Sequence, residues 1–222
     1  MITGERKPLR EILGMLEGHR RLLVLGCRGC VTVCLAGGDR QVAETAAALR
    51  AADARVSVLE HSLERQCEYE MVDTLWSLHG QIDAVLSLAC GIGVQAVAER
   101  FPDLPVFPGV NTSFLGLPVK AGTWEERCQA CGDCLLDRTG GICPVSRCAK
   151  SLMNGPCGGS QNGLCEIGRD TPCAWALIHE RLAGRGQLHL LEAYRPPKNW
   201  GTSRDGGPRR LVHEDWREVD VD

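Results

Sequence analysis

Apolar positions in the first half of the chain alternate between two periods. Pro8 suits the first turn of a helix, and Leu9, Ile12, Leu13 and Leu16 then recur at helical spacing. Arg21 to Gly26, RLLVLG, is an unbroken apolar run closed by glycine, as in a buried strand. Gln41 to Ala52 is an alanine-rich helix, and Arg55 to Leu59, RVSVL, a second strand. Glu68 to His79 predicts a helix with Val72, Leu75 and Trp76 inward. Ala84 to Leu88, AVLSL, predicts a third strand, Val94 to Phe101 a short helix, and Pro105 to Phe107 a fourth strand. Strands alternating with helices predict right-handed crossovers and a Rossmann-like parallel sheet, an α/β domain over residues 7–122.

That grammar stops near Thr123. From there to residue 195 the chain is cysteine-rich, dense in glycine and loop-dominated, with too few large apolar residues to fold unaided. One helix is expected to close it: Asp170 or Thr171 as cap, Pro172 in the first turn, and Trp175, Ile178 and Leu182 inward. A short apolar run, Leu188 to Leu191, follows. Residues 196–222 are polar and glycine-rich, and read as an extended or disordered tail.

Composition narrows the function classes. Apolar residues are 44% of the 222, enough for a core. The net charge is −3 with both signs mixed, so no basic face invites nucleic acid or an anionic membrane. No apolar stretch approaches a membrane span. The first ten residues carry Glu5, Arg6, Lys7 and Arg10 with no apolar core behind them, so no secretory leader is expected and the cytoplasm is the expected compartment.

Thirteen cysteines in a reducing compartment then need explaining. The odd count and the missing leader oppose a disulfide framework. Metal ligation is the main reading. Cys128, Cys131 and Cys134 form a C-x2-C-x2-C run, the spacing that presents successive sulfurs to one inorganic cube. Gly132 relaxes the backbone where it bends. A bacterial ferredoxin places its fourth cysteine sooner than Cys143 comes here, although Pro144 does follow it. Cys148, Cys157, Cys165 and Cys173 complete eight thiols, enough for two four-cysteine sites or for one cluster and one zinc. In the first half, Cys27, Cys30 and Cys34 follow the first strand, Cys67 the second, and Cys90 the third. Ligands of parallel sheets gather at that edge, so Cys27, Cys30 and Cys34 with Cys90 or Cys67 make a four-ligand site. A redox C-x-x-C pair is the alternative there. Cys67 is the expected spare thiol, which leaves the other twelve as metal ligands.

Other motifs are quieter. Gly91-Ile-Gly93 reads as a tight turn rather than a phosphate cradle, since Ala96 breaks the dinucleotide fingerprint. Asn111-Thr112-Ser113 reads as a loop and helix cap. The six histidines show no ligand spacing, and no nucleophile signature marks a catalytic site of the chain's own.

The string Cys128 to Cys134, Thr139-Gly-Gly-Ile-Cys-Pro144, Arg147-Cys-Ala-Lys150, Asn154-Gly-Pro-Cys-Gly-Gly159 and Gly163-Leu-Cys-Glu166 resembles the cysteine-rich small subunit of bacterial methylenetetrahydrofolate reductases. The Cys27 to Gly38 segment and Pro196-Pro-Lys-Asn-Trp200 fit the same family. The resemblance implies an iron–sulfur subunit of one-carbon metabolism in Wood–Ljungdahl organisms. Its partner would be a flavin-containing, TIM-barrel catalytic subunit, with further electron-donating subunits as an extension. It implies two or three [4Fe–4S] clusters, zinc as an alternative at one site, and no flavin on this chain. All thirteen cysteines carry over as cluster-binding candidates.

Overall fold

The computed structural model describes residues 1–168 and 170–213. The chain divides into two compact units, Met1–Glu126 and, from Arg127 on, a second.

Unit 1 is built on β2 (Arg21–Cys27). Beside it lie β3 (Ser57–Leu63), β4 (Ala84–Ser87) and β5 (Val106–Pro108), all parallel, in the order β3-β2-β4-β5. Side chains of a strand alternate between faces, and β2 obeys this closely. Leu22 and Val24 join Ile12 of α1 (Leu9–Met15) and Val42, Ala46 and Leu49 of α3 (Asp39–Ala52). Leu23 and Leu25 join Val72 of α4 (Tyr69–Asp73) and Val97 of α5 (Gly91–Arg100) on the other face. Helices cover both faces, which is why the run has no polar alternation.

Three differences from the sequence reading have physical causes. The second strand extends to Leu63 through Glu60 and His61, because β3 is an edge strand whose polar side chains reach water. The helix after it ends at Asp73 and continues as 3₁₀ turns, Thr74–Ser77 and His79–Gln81, where the Thr74 hydroxyl donates to the Met71 carbonyl. Trp76 is 50% exposed, lying against Phe101 and His79 rather than inward. Residues 111–113 belong to a strand, not a loop. β1 (Ile2–Arg6), β6 (Val110–Lys120) and β7 (Thr123–Cys128) form an antiparallel sheet in the order β1-β6-β7 that the pattern does not announce. Pro118 is tolerated because β1 pairs only as far as Leu115.

The carboxyl edge of the parallel sheet is closed by two residues. The Gly37 carbonyl accepts the Cys27 N–H at 3.0 Å, and a Cβ on Gly37 would overlap the Leu88 carbonyl oxygen. Gln66, fully buried, spans the gap between β2 and β4. Its Nε2 donates to the Leu25 and Gly26 carbonyls, both at 2.9 Å, and its Oε1 accepts from Ser87 Oγ at 2.7 Å. In doubly wound sheets this gap, where the connections diverge, is where nucleotides sit. Here an amide fills it. Gly91-Ile-Gly93, expected as a tight turn, is instead the first turn of α5, and Gly93 packs directly on Gln66, a close approach that leaves no room for a Cβ.

Unit 2 has little regular structure. α6 (Pro144–Arg147) is one turn, and α7 (Ala174–Gly184) buries Trp175, Ile178 and Leu182 against Ile142. The cap of α7 is Cys173 itself, not Asp170 or Thr171. The stretch read as an extended or disordered tail forms 3₁₀ turns at Trp200–Thr202 and Arg204–Gly206, and residues 214–222 lie outside the described residues. Among the described residues, no helix is long and apolar enough to cross a membrane.

Gln66→Leu tests the plug. It leaves the Ser87 hydroxyl without its buried acceptor, at about 1–3 kcal/mol, and takes one donor each from the Gly26 carbonyl and from the Leu25 carbonyl, which keeps the Leu88 N–H, at roughly a further 1 kcal/mol together. Urea unfolding is expected to show a loss of roughly 2–4 kcal/mol. A loss below about 0.5 kcal/mol, the level of an ordinary surface change, contradicts the assignment.

Candidate metal centres

Chain direction brings the first five cysteines to one sheet edge. Cys27 ends β2, and Cys30 opens the short α2 (Cys30–Val33), with Cys34 just after it. Cys67 follows the anchored Gln66, and Cys90 caps α5. Cys27 and Cys34, each 8% exposed, share an apolar cluster on whose margin Cys90 packs. Cys34 Sγ accepts the Gly4 N–H of β1 at 3.4 Å. Cys67 is exposed as a residue, yet partial burial of its sulfur pushes its thiol up, and negative charge on Cys27, Cys90 and Glu68 adds to the effect. Cys67 is therefore a neighbour of Cys27 and Cys90 at this edge. Cys30 stands half-buried at the start of α2.

Unit 2 gathers four more thiols. Cys148, Cys157, Cys165 and Cys173 line one small cavity of about 10 Å³, together with Lys150 and Glu166. Two backbone bonds fold residues 163–173 back to achieve this: Cys165 N–H to Thr171 O and Cys173 N–H to Gly163 O, both 2.8 Å. Burial pushes the Cys173 thiol up, but the Ser160 hydroxyl and the Ala176 and Trp175 amides of α7 more than offset it, and the net shift is down. A helix N-terminus favours thiolate for this reason. Cys157 Sγ donates to Glu166 Oε2 at 3.6 Å, and Glu166 pairs with Lys150. That pairing raises the Lys150 ammonium, and the charges of Cys157 and Cys165 add to it. Among the described residues, Lys150 is the cation that lines the cavity.

The C-x2-C-x2-C run forms a tight turn with Ala130 at φ 50° and Gly132 at φ 77°. A Cβ on Gly132 would overlap the Thr202 carbonyl oxygen, so glycine is required twice over. Cys128 Sγ accepts the Ala130 N–H at 3.3 Å. The late polar segment packs along this turn. Thr202 Oγ1 donates to the Cys131 carbonyl at 2.9 Å, and Arg209 Nη1 to the Ala130 carbonyl at 2.6 Å. Asp133, between Cys131 and Cys134, holds Arg195 at 2.9 Å and Lys198 at 3.4 Å. The Arg195 hydrogen bond, then the Lys198 charge, keep the Asp133 carboxyl below its usual range. The Lys198 side chain is 1% exposed, and among the described residues its ammonium makes no hydrogen bond. Cys143 caps α6, five residues before Cys148.

All thirteen thiols are free. Among the described residues, no three of the cysteine, histidine and carboxylate groups stand close enough to hold a metal ion as they are placed. The donor chemistry nevertheless suits a thiolate centre: four cysteines lining one cavity, with a lysine beside them and a helix N-terminus behind one. Zinc and iron–sulfur clusters both take such a set. Sequence spacing identifies the cysteines but not Gln66, Asp133, Arg195 or Lys198. Asp133 sits inside the motif, and Lys198 inside Pro196-Pro-Lys-Asn-Trp200, yet only folding joins them.

Asp133→Asn tests that link. It leaves the buried Lys198 ammonium without its counter-charge, which is costly in a dry site. The denaturation midpoint of unit 2 is expected to fall, and Lys198→Met in the same chain to restore part of it. An unchanged midpoint in Asp133→Asn contradicts the pairing.

Comparison with known proteins places these observations. No curated protein and no solved structure is detectably similar to the chain. Residues 107–201 match the family model described as "Methylene-tetrahydrofolate reductase C terminal". The match takes in Cys128 through Cys173 and does not reach Cys27 to Cys90. The stretch from Phe107 to Gly201, which takes in the end of unit 1 and most of unit 2, is similar to the C-terminal region of methylenetetrahydrofolate reductases.

Proposed function

We propose that this chain is the iron–sulfur subunit of a methylenetetrahydrofolate reductase, relaying electrons to or from a flavin-containing catalytic subunit. The reading rests on one observation above the others: Cys148, Cys157, Cys165 and Cys173, distant along a loop-rich chain, line a single cavity inside the family-matched stretch. An iron–sulfur cluster, when bound, stores one electron with little rearrangement, which suits it to supply a two-electron flavin stepwise.

The chain's own residues have distinct parts in this account. Cys128, Cys131 and Cys134, with Cys143, hold one centre on the turn that Thr202 and Arg209 brace. Cys148, Cys157, Cys165 and Cys173 hold a second, with Lys150 balancing thiolate charge. Cys27, Cys30, Cys34 and Cys90 hold a third at the sheet edge. Cys67, beside Cys27 and Cys90, is a fifth thiol there, and Gln66 keeps it in place. The flavin and folate belong to the catalytic partner, in the cytoplasm and in one-carbon metabolism of the Wood–Ljungdahl type, with further electron-donating subunits beyond it.

One observation favours a second reading for one site. The four-thiol cavity has space for about one water, a better match to a single ion than to a cube. Zinc there would be redox-silent and would staple the loops.

Anaerobic purification tests both readings, with iron, acid-labile sulfide and zinc measured per chain and an EPR spectrum taken after dithionite. Roughly eight to twelve irons with matching sulfide are expected for two or three clusters, or eight irons and one zinc if the small cavity holds zinc. Cys131→Ser is expected to lose about four irons and leave the partner's flavin bound. Zinc with little iron, or Cys131→Ser at full iron content, overturns the electron-relay reading.

A further inference from the structure

Beside the four-thiol cavity, unit 2 holds a second and much larger one. Its volume is about 400 Å³, within the range of small-molecule sites. Its walls are apolar, with Leu135, Met153, Leu190 and Leu191 among them, and Trp175 at the side. The indole is pinned, since its Nε1 donates to the Leu152 carbonyl at 2.9 Å. Pro156, Cys157, Ser160 and Trp175 line both cavities. A molecule in the larger one is therefore one residue's thickness from the thiols.

The polar lining has one sign. Arg138 and Arg195 carry its charge, and no aspartate or glutamate lines it among the described residues. Arg195 is already committed to Asp133 at 2.9 Å. Asn154 is committed as well, exchanging two bonds with the Arg195 backbone at 2.9 and 2.8 Å. Arg138 is not: its charged neighbour is Asp137, 3.8 Å away, with both side chains more than half exposed. A pair of that kind is weak, so the guanidinium remains available. Two other hollows of the molecule differ in this respect. One is lined by Glu44 and the other by Glu17 and Asp53, so neither shows a single sign.

We propose that this cavity is a binding site for a small amphipathic anion: an aromatic or aliphatic body held by the Leu135–Met153–Leu190–Leu191 walls and Trp175, with one carboxylate, phosphate or sulfonate on Arg138. The site shares Cys157 with the thiol cavity but does not require a metal. It places such a ligand against the wall of the thiol cavity, where a redox-active heterocycle would meet the centre proposed there.

The test uses the full chain purified anaerobically and 8-anilinonaphthalene-1-sulfonate as probe, an aromatic body with one anionic group. N-phenyl-1-naphthylamine, the same body without the sulfonate, is the companion probe. Saturable binding of one sulfonate probe per chain is expected. Arg138→Glu, at an exposed position, is expected to weaken it about tenfold, because a nearby charge is reversed, and to leave the neutral probe unchanged. Ala176→Trp, which fills the cavity from α7, is expected to abolish both. Circular dichroism of each variant establishes that it is folded. Absence of stoichiometric binding overturns the proposal. So does undiminished sulfonate binding in Arg138→Glu, or binding that survives Ala176→Trp. Iron and zinc content do not enter the readout, so this site fails or stands apart from the electron-relay reading.

Discussion

Unit 2 buries a small apolar cluster, Ile142, Trp175, Ile178 and Leu182 with Cys173 among them, and that scarcity governs how the rest of it is held. So few side chains do not offset the ordering of the loops around them. Polar ties take over part of the load. The turn at Cys131 is held from Thr202 and Arg209, Asp133 gathers Arg195 and Lys198, and residues 163–173 are folded back by backbone bonds. The thiols stand on the same tied loops, and ligation of them would add further cross-links.

Unit 1 follows a different rule and reaches a similar end. Its sheet is apolar on both faces, so polar and reactive groups are left to the carboxyl edge. Gln66 and Gly37 close that edge against the backbone, and Cys27, Cys67 and Cys90 stand around it. Both units also use cysteine where a helix begins: Cys90, Cys143 and Cys173 cap α5, α6 and α7. Cysteine is not among the favoured cap residues. At α7 the benefit runs the other way, from the helix amides to the sulfur.

Legibility in the sequence tracks these causes. β2 is plain because burial on both faces leaves an unbroken apolar run. β1 and β6 are hidden because Gly4, Glu5 and Arg6 in one and Gly116 and Pro118 in the other argue against strands, and only their pairing makes them so. Trp76 misleads because its place is decided by contacts with His79 and Phe101, after the helix has already broken. The cysteine spacings disclose which thiols to consider. They do not disclose that Lys198, 64 residues beyond Cys134, is buried beside Asp133 of their turn. Nor do they mark Gln66, a polar loop residue with no surface at all.

The central claim is that Cys148, Cys157, Cys165 and Cys173 act as one ligand set. Thiol alkylation mapped by mass spectrometry, before and after anaerobic chelation of the purified chain, tests it most directly. These four are expected to be protected together and to become reactive together once metal is removed. Four thiols that react independently, or that are equally reactive before chelation, would contradict it.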